Sequence, residues 1–147
     1  MRENLFRAKR TDNKKWTEGN LVKSSDADQG FGAIIIPTEK SNMFLCEKEN
    51  NLGFEVWHPV IPETVCQYTG LTDKNGRKIF EGDILSAHLD DQYPEDITYV
   101  QITWDGFSWC TRESTEDDVM TEHDCNVFEV CGNVFDNPEL IGGKECT

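Results

Sequence analysis

The chain has 147 residues and a formal net charge of −14, from 28 acidic and 14 basic side chains. That length suits one domain or two small subdomains, and a hydrophobic share of 37% with 10% aromatic argues against wholesale disorder. No apolar run approaches the roughly 20 residues of a membrane helix, and the start, MRENLFRAKR, has no apolar signal core, so a soluble cytosolic protein is expected.

In chain order, residues 5–10 (LFRAKR) alternate as a half-buried strand does. Residues 12–15 form a turn, and residues 16–23 return as a second strand of a hairpin. Residues 24–32 are polar and glycine-bearing, which reads as a loop. Residues 31–36 form a continuous apolar strand stopped by Pro37, and residues 43–46 (MFLC) form a further short strand. Residues 52–60 (LGFEVWHPV) read as one strand, and residues 62–65 as one helical turn with proline in the first-turn position it tolerates.

Residues 67–85 (QYTGLTDKNGRKIFEGDIL) read as strand, turn, strand, turn, strand. Asn75-Gly76 tolerates the positive φ of a tight hairpin. Gly82 permits a sharp entry, and the Asp83 carboxylate is placed to accept backbone N–H groups at the turn. Residues 84–89 form a strand and residues 90–96 an acidic loop. Residues 97–104 have period two, with Val100, Ile102 and Trp104 on one face. Asp105-Gly106 is a hairpin turn before a strand over 107–111. The acidic stretch 113–124 is expected to hold a short helix capped by Ser114 or Thr115. A last strand follows at 126–130, and then a closing turn at 132–141, with Asn137 as helix cap and Pro138 as first helical residue.

The pattern is all-β and mainly antiparallel. It divides into an N-terminal hairpin or small-sheet subdomain over 1–66 and a C-terminal SH3-like small barrel over 67–147. About five short strands in roughly 55 residues, with glycine at the turns, carry the barrel expectation.

Charge splits along the same lines. Residues 1–80 carry 12 Lys+Arg and 11 Asp+Glu, net +1, whereas residues 81–147 carry 2 and 17, net −15. Arg2, Arg7, Lys9 and Arg10 lie in a basic tip. Glu116, Asp117 and Asp118 lie in the acidic half, which repels nucleic acid and anionic membrane over about a Debye length. Both sets are candidate interaction residues.

The chemical motifs are weak. His58, His88 and His123 are far apart, and no G-x-S-x-G context surrounds a serine. His123, Cys125 and Cys131 lack the paired knuckle of a zinc site. The acidic cluster lacks the calcium-loop spacing, and Gly142-Gly143-Lys144 lacks the rest of a P-loop. Cysteines at 46, 66, 110, 125, 131 and 146 show no C-x-x-C pair and read as reduced thiols. Trp104, Phe107 and Trp109 sit in a region almost without cations, so a core role fits them better than base stacking. No catalytic, cofactor or metal residue is assigned.

Three blocks carry a family likeness. They are Arg2-Glu3 with Leu5-Phe6-Arg7 and Trp16; the middle stretch with Tyr68, Gly70, Asp73, Asn75, Gly76, Phe80, Gly82 and Asp83; and a last block with Gly132, Asn133, Asn137 and Pro138. In this order they resemble the YopX family of phage and prophage proteins. Cys66 and Cys131 stand where the family usually has apolar residues, which suits core cysteines. The resemblance implies a largely β fold, motif residues with structural roles, and accessory proteins of mobile elements that assemble into homo-oligomers. It implies no activity, cofactor or catalytic residue.

The expectation is therefore a non-enzymatic cytoplasmic accessory protein acting through protein–protein contacts as a homo-oligomer. One alternative is an acidic mimic of DNA that occupies a host nucleic-acid-binding protein; another is a metal-dependent enzyme using the 113–124 segment. Nucleic acid, membrane and small-molecule partners are not expected.

Overall fold

The computed structural model describes residues 4–23, 32–38, 42–46, 48–49 and 51–142. The expected loop at 24–32 falls almost wholly outside them, as do Arg2, Lys144 and Cys146. Contacts divide the chain into two compact units, Met1–Gln67 and Tyr68–Thr147.

In the first unit, β1 (Phe6–Lys9) and β2 (Trp16–Lys23) form the expected hairpin, and β3 (Ala33–Ile36) pairs with the far side of β2. A separate hairpin joins β4 (Met43–Cys46) to β5 (Asn51–Phe54), and β6 (His58–Val60) pairs with β3. The circuit then closes. Val60 bridges Arg10, the Ile61 N–H donates to the Lys9 carbonyl at 2.9 Å, and the Thr11 N–H donates to the Pro59 carbonyl at 3.0 Å. Pro59 has no N–H to give, so it joins this seam through its carbonyl alone. Inside lie Ala8, Ala33, Ile35 and Val60, with Phe6, Leu21 and Val65 against them.

The single strand expected over 52–60 is broken into β5 and β6. The cause is Asn42, which is buried at 5% exposure. Its side-chain oxygen accepts the Val56 N–H, and its amide donates to the Val56 carbonyl at 2.8 Å. Both backbone groups that would have continued the ladder are thereby satisfied elsewhere.

β7 (Cys66–Thr72) begins by pairing Cys66 and Gln67 with β1. In the second unit its remainder pairs with β8 (Lys78–Phe80), with a register shift between Tyr68 and Thr72. The other strands are β9 (Asp83–Ala87), β10 (Thr98–Trp104), β11 (Trp109–Glu113), β12 (Glu116–Val119) and β13 (Glu129–Asn133). They form one antiparallel sheet in the order β12-β11-β10-β9-β13. Period-two alternation turns Leu85, Val100, Ile102 and Val130 onto a core completed by Ile79 and Phe128.

The all-β expectation holds. Closure of the second unit into an SH3-like barrel is not among the ladders of the described residues, which leave β12 and β13 as sheet edges. β12 is exposed at all four positions, and three of them are carboxylates, which blunts that edge against further pairing.

Three local expectations are corrected. The acidic stretch forms β12, not a helix beginning at Ser114 or Thr115. Ser114 adopts φ 57° and turns the chain, so that Glu113 faces Glu116. The helix comes later: α1 (Glu122–Val127) starts at Thr121, which exchanges capping-box bonds with Asp124. Asn126 and Val127 therefore end a helix, and the last strand starts at Glu129. Asn137 does precede a short 3-10 turn, Pro138–Ile141, but it makes no side-chain cap. Its Oδ1 instead accepts the Asn133 N–H at 3.3 Å.

Gly82 takes φ 83°, donates to the Ile102 carbonyl at 2.9 Å and accepts from the Val134 N–H at 2.9 Å. Gly82→Val is expected to lower stability by about 1–3 kcal/mol, because a β-branched residue is strained there. Urea unfolding of the two proteins checks it, and an unchanged midpoint would show that the positive φ is dispensable.

Candidate interaction site

The family-motif residues form a hydrogen-bonded frame. Asp73 is 6% exposed. Its Oδ1 accepts the N–H groups of Asn75 and Arg77, both at 2.9 Å, and its Oδ2 accepts the Val130 N–H at 2.8 Å. Burial alone would raise this carboxyl, but the N–H groups of Val130, Arg77 and Asn75 outweigh it and hold the group below its ordinary value. Asp83 Oδ2 likewise accepts the Phe80 N–H at 2.8 Å. Tyr68 and Phe80 place their rings 5.5 Å apart. Gly70 and Gly76 have φ of 86° and 81°. At Gly132 a Cβ would sit 2.4 Å from the Asn137 side chain.

The candidate interaction residues are placed less uniformly. Arg7 is buried on β1 with its guanidinium 4.8 Å from the Trp16 ring centre, and the Lys9 ammonium lies 5.5 Å from the same ring. Arg10 forms a two-pronged bond to Asp12, at 3.0 and 2.6 Å. These cations of the basic tip are thus engaged within the first unit. On the acidic side, Asp117 pairs with Arg112 at 2.8 and 3.0 Å, while Glu116 and Asp118 project from the same exposed strand.

Cys66 and Cys110 are buried thiols, as a core role requires, but Cys131 is exposed, its sulfur 3.3 Å from the Ile84 carbonyl. Cys131 directly follows the core-facing Val130, so the alternation along β13 turns it outward. His88 sets Nδ1 against the Pro94 carbonyl, and His123 is on α1. Among the described residues no three His, Cys, Asp or Glu side chains group as a metal site.

Two surface features stand out. The first is the tip of the β10–β11 hairpin. Trp109 packs against the core and its ring lies 4.9 Å from that of Trp104, which is 48% exposed. The core role expected for Phe107 is overturned: it is 94% exposed. Trp104 pairs with Trp109, so four residues form the loop and Phe107 stands inside it, not in a strand. The loop is fixed by Asp105, whose Oδ1 accepts the N–H groups of Phe107 and Ser108 at 2.8 and 2.7 Å and whose Oδ2 accepts the Ser108 hydroxyl at 3.2 Å. Those N–H groups lower the Asp105 pKa, so the tip carries a negative charge beside its aromatic. The Asp-Gly dipeptide foretold a turn. The flanking Asp105 and Ser108, both able to bond the loop backbone, were the signal that the turn extends to 108.

The second is a cleft of about 460 Å³ in the first unit, lined by residues that include Trp16, Glu18, Pro37, Glu55, Val56 and His58. Val56 is 42% exposed and the adjacent Trp57 53%. Burial, followed by the charge of Arg10, pushes the His58 pKa down, so its ring is neutral at pH 7. Sequence reasoning missed this cleft, because three separate chain segments and the Asn42 clamp build it.

Comparison with known proteins bears on the frame. The family model described as YopX protein matches residues 5–142. The crystal structure of protein EF1440 from Enterococcus faecalis is similar, with 24% identity and a TM-score of 0.68 over 96% of this chain and 99% of that one. At that identity the likeness shows the fold. No curated protein matches the chain.

Proposed function

The chain belongs to the YopX family, and from that premise we propose that it is a phage or prophage accessory protein that works by protein–protein contact, as a homo-oligomer and without catalysis. The observation that carries the reading is the hairpin tip, where an almost fully exposed phenylalanine is held in a turn fixed by Asp105. A rigid exposed aromatic loses little freedom on binding, and such anchors dominate interface energetics. Light scattering at low salt and at about 0.5 M salt, where exposed charges are screened within about 4 Å, tests it. An oligomer in either condition is expected; a monomer in both overturns the reading.

A second reading, mimicry of DNA charge, is favoured by the exposed carboxylates of β12 on the sheet edge. It predicts that a purified basic nucleic-acid-binding protein binds the chain in low salt and is released by competing duplex DNA. Binding that DNA does not displace counts against it.

A further inference from the structure

One dipeptide of the second unit joins an exposed reactive pair to a set of bonds that restrain it. Asn75-Gly76 is the sole asparagine–glycine step in the sequence. Both residues are exposed in the turn between β7 and β8. Gly76 brings no side chain to the turn, and nothing lies within 4 Å of the place a Cβ would take, so its nitrogen is uncrowded.

The reaction open to such a pair needs water as its one co-reactant. The Gly76 nitrogen attacks the side-chain carbon Cγ of Asn75. An N–Cγ bond forms, the Cγ–Nδ2 bond breaks, and Nδ2 leaves as ammonia with the proton that the Gly76 nitrogen gives up. Water then opens the cyclic imide at either of its carbonyls, which leaves aspartate or isoaspartate at position 75. No electrons are transferred: an amide and water become a carboxylic acid and ammonia.

The fold holds both reacting groups. The Gly76 N–H donates to the Asp73 carbonyl at 3.0 Å, and Asn75 Nδ2 donates to Glu129 Oε2 on β13 at 3.0 Å. The turn around them is fixed by Asp73 Oδ1, which accepts the N–H groups of Asn75 and Arg77, and by the Lys74 N–H, which donates to the Phe128 carbonyl at 3.2 Å. Attack rotates the Asn75 amide so that Cγ meets the Gly76 nitrogen, and the bond to Glu129 opposes that rotation.

We propose that Asn75 is a deamidation site restrained by Glu129, and that its conversion loosens the join between the β7–β8 turn and β13. The product carboxylate has no proton to donate to Glu129 and sets a like charge beside it. Isoaspartate also lengthens the main chain by one carbon inside the turn that Asp73 closes onto Arg77.

Peptide mass spectrometry of the full chain incubated at about pH 7 tests this. In guanidinium, where the turn is lost, position 75 is expected to deamidate faster than every other asparagine. In the folded parent it is expected to react more slowly than in guanidinium. Glu129→Ala, which keeps the fold but removes the acceptor, is expected to speed the folded reaction about threefold, and Glu129→Gln, which keeps an acceptor oxygen, to restore most of the restraint. Gly82→Val lowers stability without touching Asn75, and its rate is expected to stay within about twofold of the parent, which separates local release from general opening. If position 75 does not lead in guanidinium, it is not the site. If Glu129→Ala reacts no faster than the parent, or if Gly82→Val speeds the reaction as much, Glu129 is not the restraint. The deamidated chain, separated by its added charge, is expected to melt below the parent, and an equal melting temperature would overturn the loosening of the join.

Discussion

Asp73→Ala is expected to destabilise the second unit by about 3–4 kcal/mol, with a part of that loss tied to pH. The Asp73 carboxylate is the shared acceptor of three backbone N–H groups, two in its own turn and one, Val130, across from it on β13. Val130 is buried, and its N–H has no route to water once the carboxylate is gone, which costs about 1–3 kcal/mol for that donor alone. The turn donors of Asn75 and Arg77 are nearer solvent and rehydrate in part, so they add less. Asp73→Asn keeps the shape but offers one oxygen in place of two, and it is expected to lose about half as much. The pH dependence follows from the lowered pKa. A carboxyl whose folded value lies below its unfolded value of about 3.9 stabilises fully above that value and loses its contribution as pH falls through the folded value. The stability gap between the parent and Asp73→Asn should therefore narrow as pH is lowered from 6 through the region below about 3.9. Urea titrations at a series of pH values measure it. A gap that stays constant with pH would mean that the charge of Asp73, as distinct from its shape, contributes nothing.

Asp73 also marks how far the sequence could be read. Asn75-Gly76 announced the turn, and Gly82-Asp83 announced the next, because positive φ and short carboxylates leave a local signature. The period-two run at 97–104 placed β10 because Val100 and Ile102 turn to the core, and the turn at 12–15 placed β2 as the return strand of a hairpin. What local pattern could not show was where distant groups intervene. The bond from Asp73 to Val130 joins residues 57 apart in sequence, and the Asn42 clamp that splits residues 52–60 acts across 14. The acidic stretch misled for a related reason. Ser114 was a plausible cap by type, yet it takes a left-handed turn, and Thr121 with Asp124 supplies both halves of a cap seven residues later. Charge and aromatic content gave the makings of a contact surface. Exposure of Phe107 depended on a four-residue loop, and loop length is set by the register of the whole sheet.

Gly19→Ala is expected to be the most damaging small substitution in the first unit, costing about 3 kcal/mol or more although it adds a single methyl group. Gly19 lies in β2, where Phe6 of β1 is its partner on one side, and β3 runs along the other. A Cβ built there would come 2.1 Å from the Ile36 carbonyl oxygen, 2.6 Å from its carbon and 2.9 Å from the Pro37 Cα. All three are backbone atoms, so no rotamer change relieves the clash, and the end of β3 must move away from β2. That movement would reach the cleft, since Pro37 and the neighbouring Glu18 both line it. Gly76→Ala is the matched control. Its Cβ meets nothing within 4 Å, and only its φ of 81° opposes a side chain, so about 1 kcal/mol is expected. Thermal unfolding of both variants beside the parent separates crowding from backbone conformation. A loss at Gly19 no greater than that at Gly76 would mean that β3 yields freely, and the close approach of the two strands would then not be what requires glycine at this position.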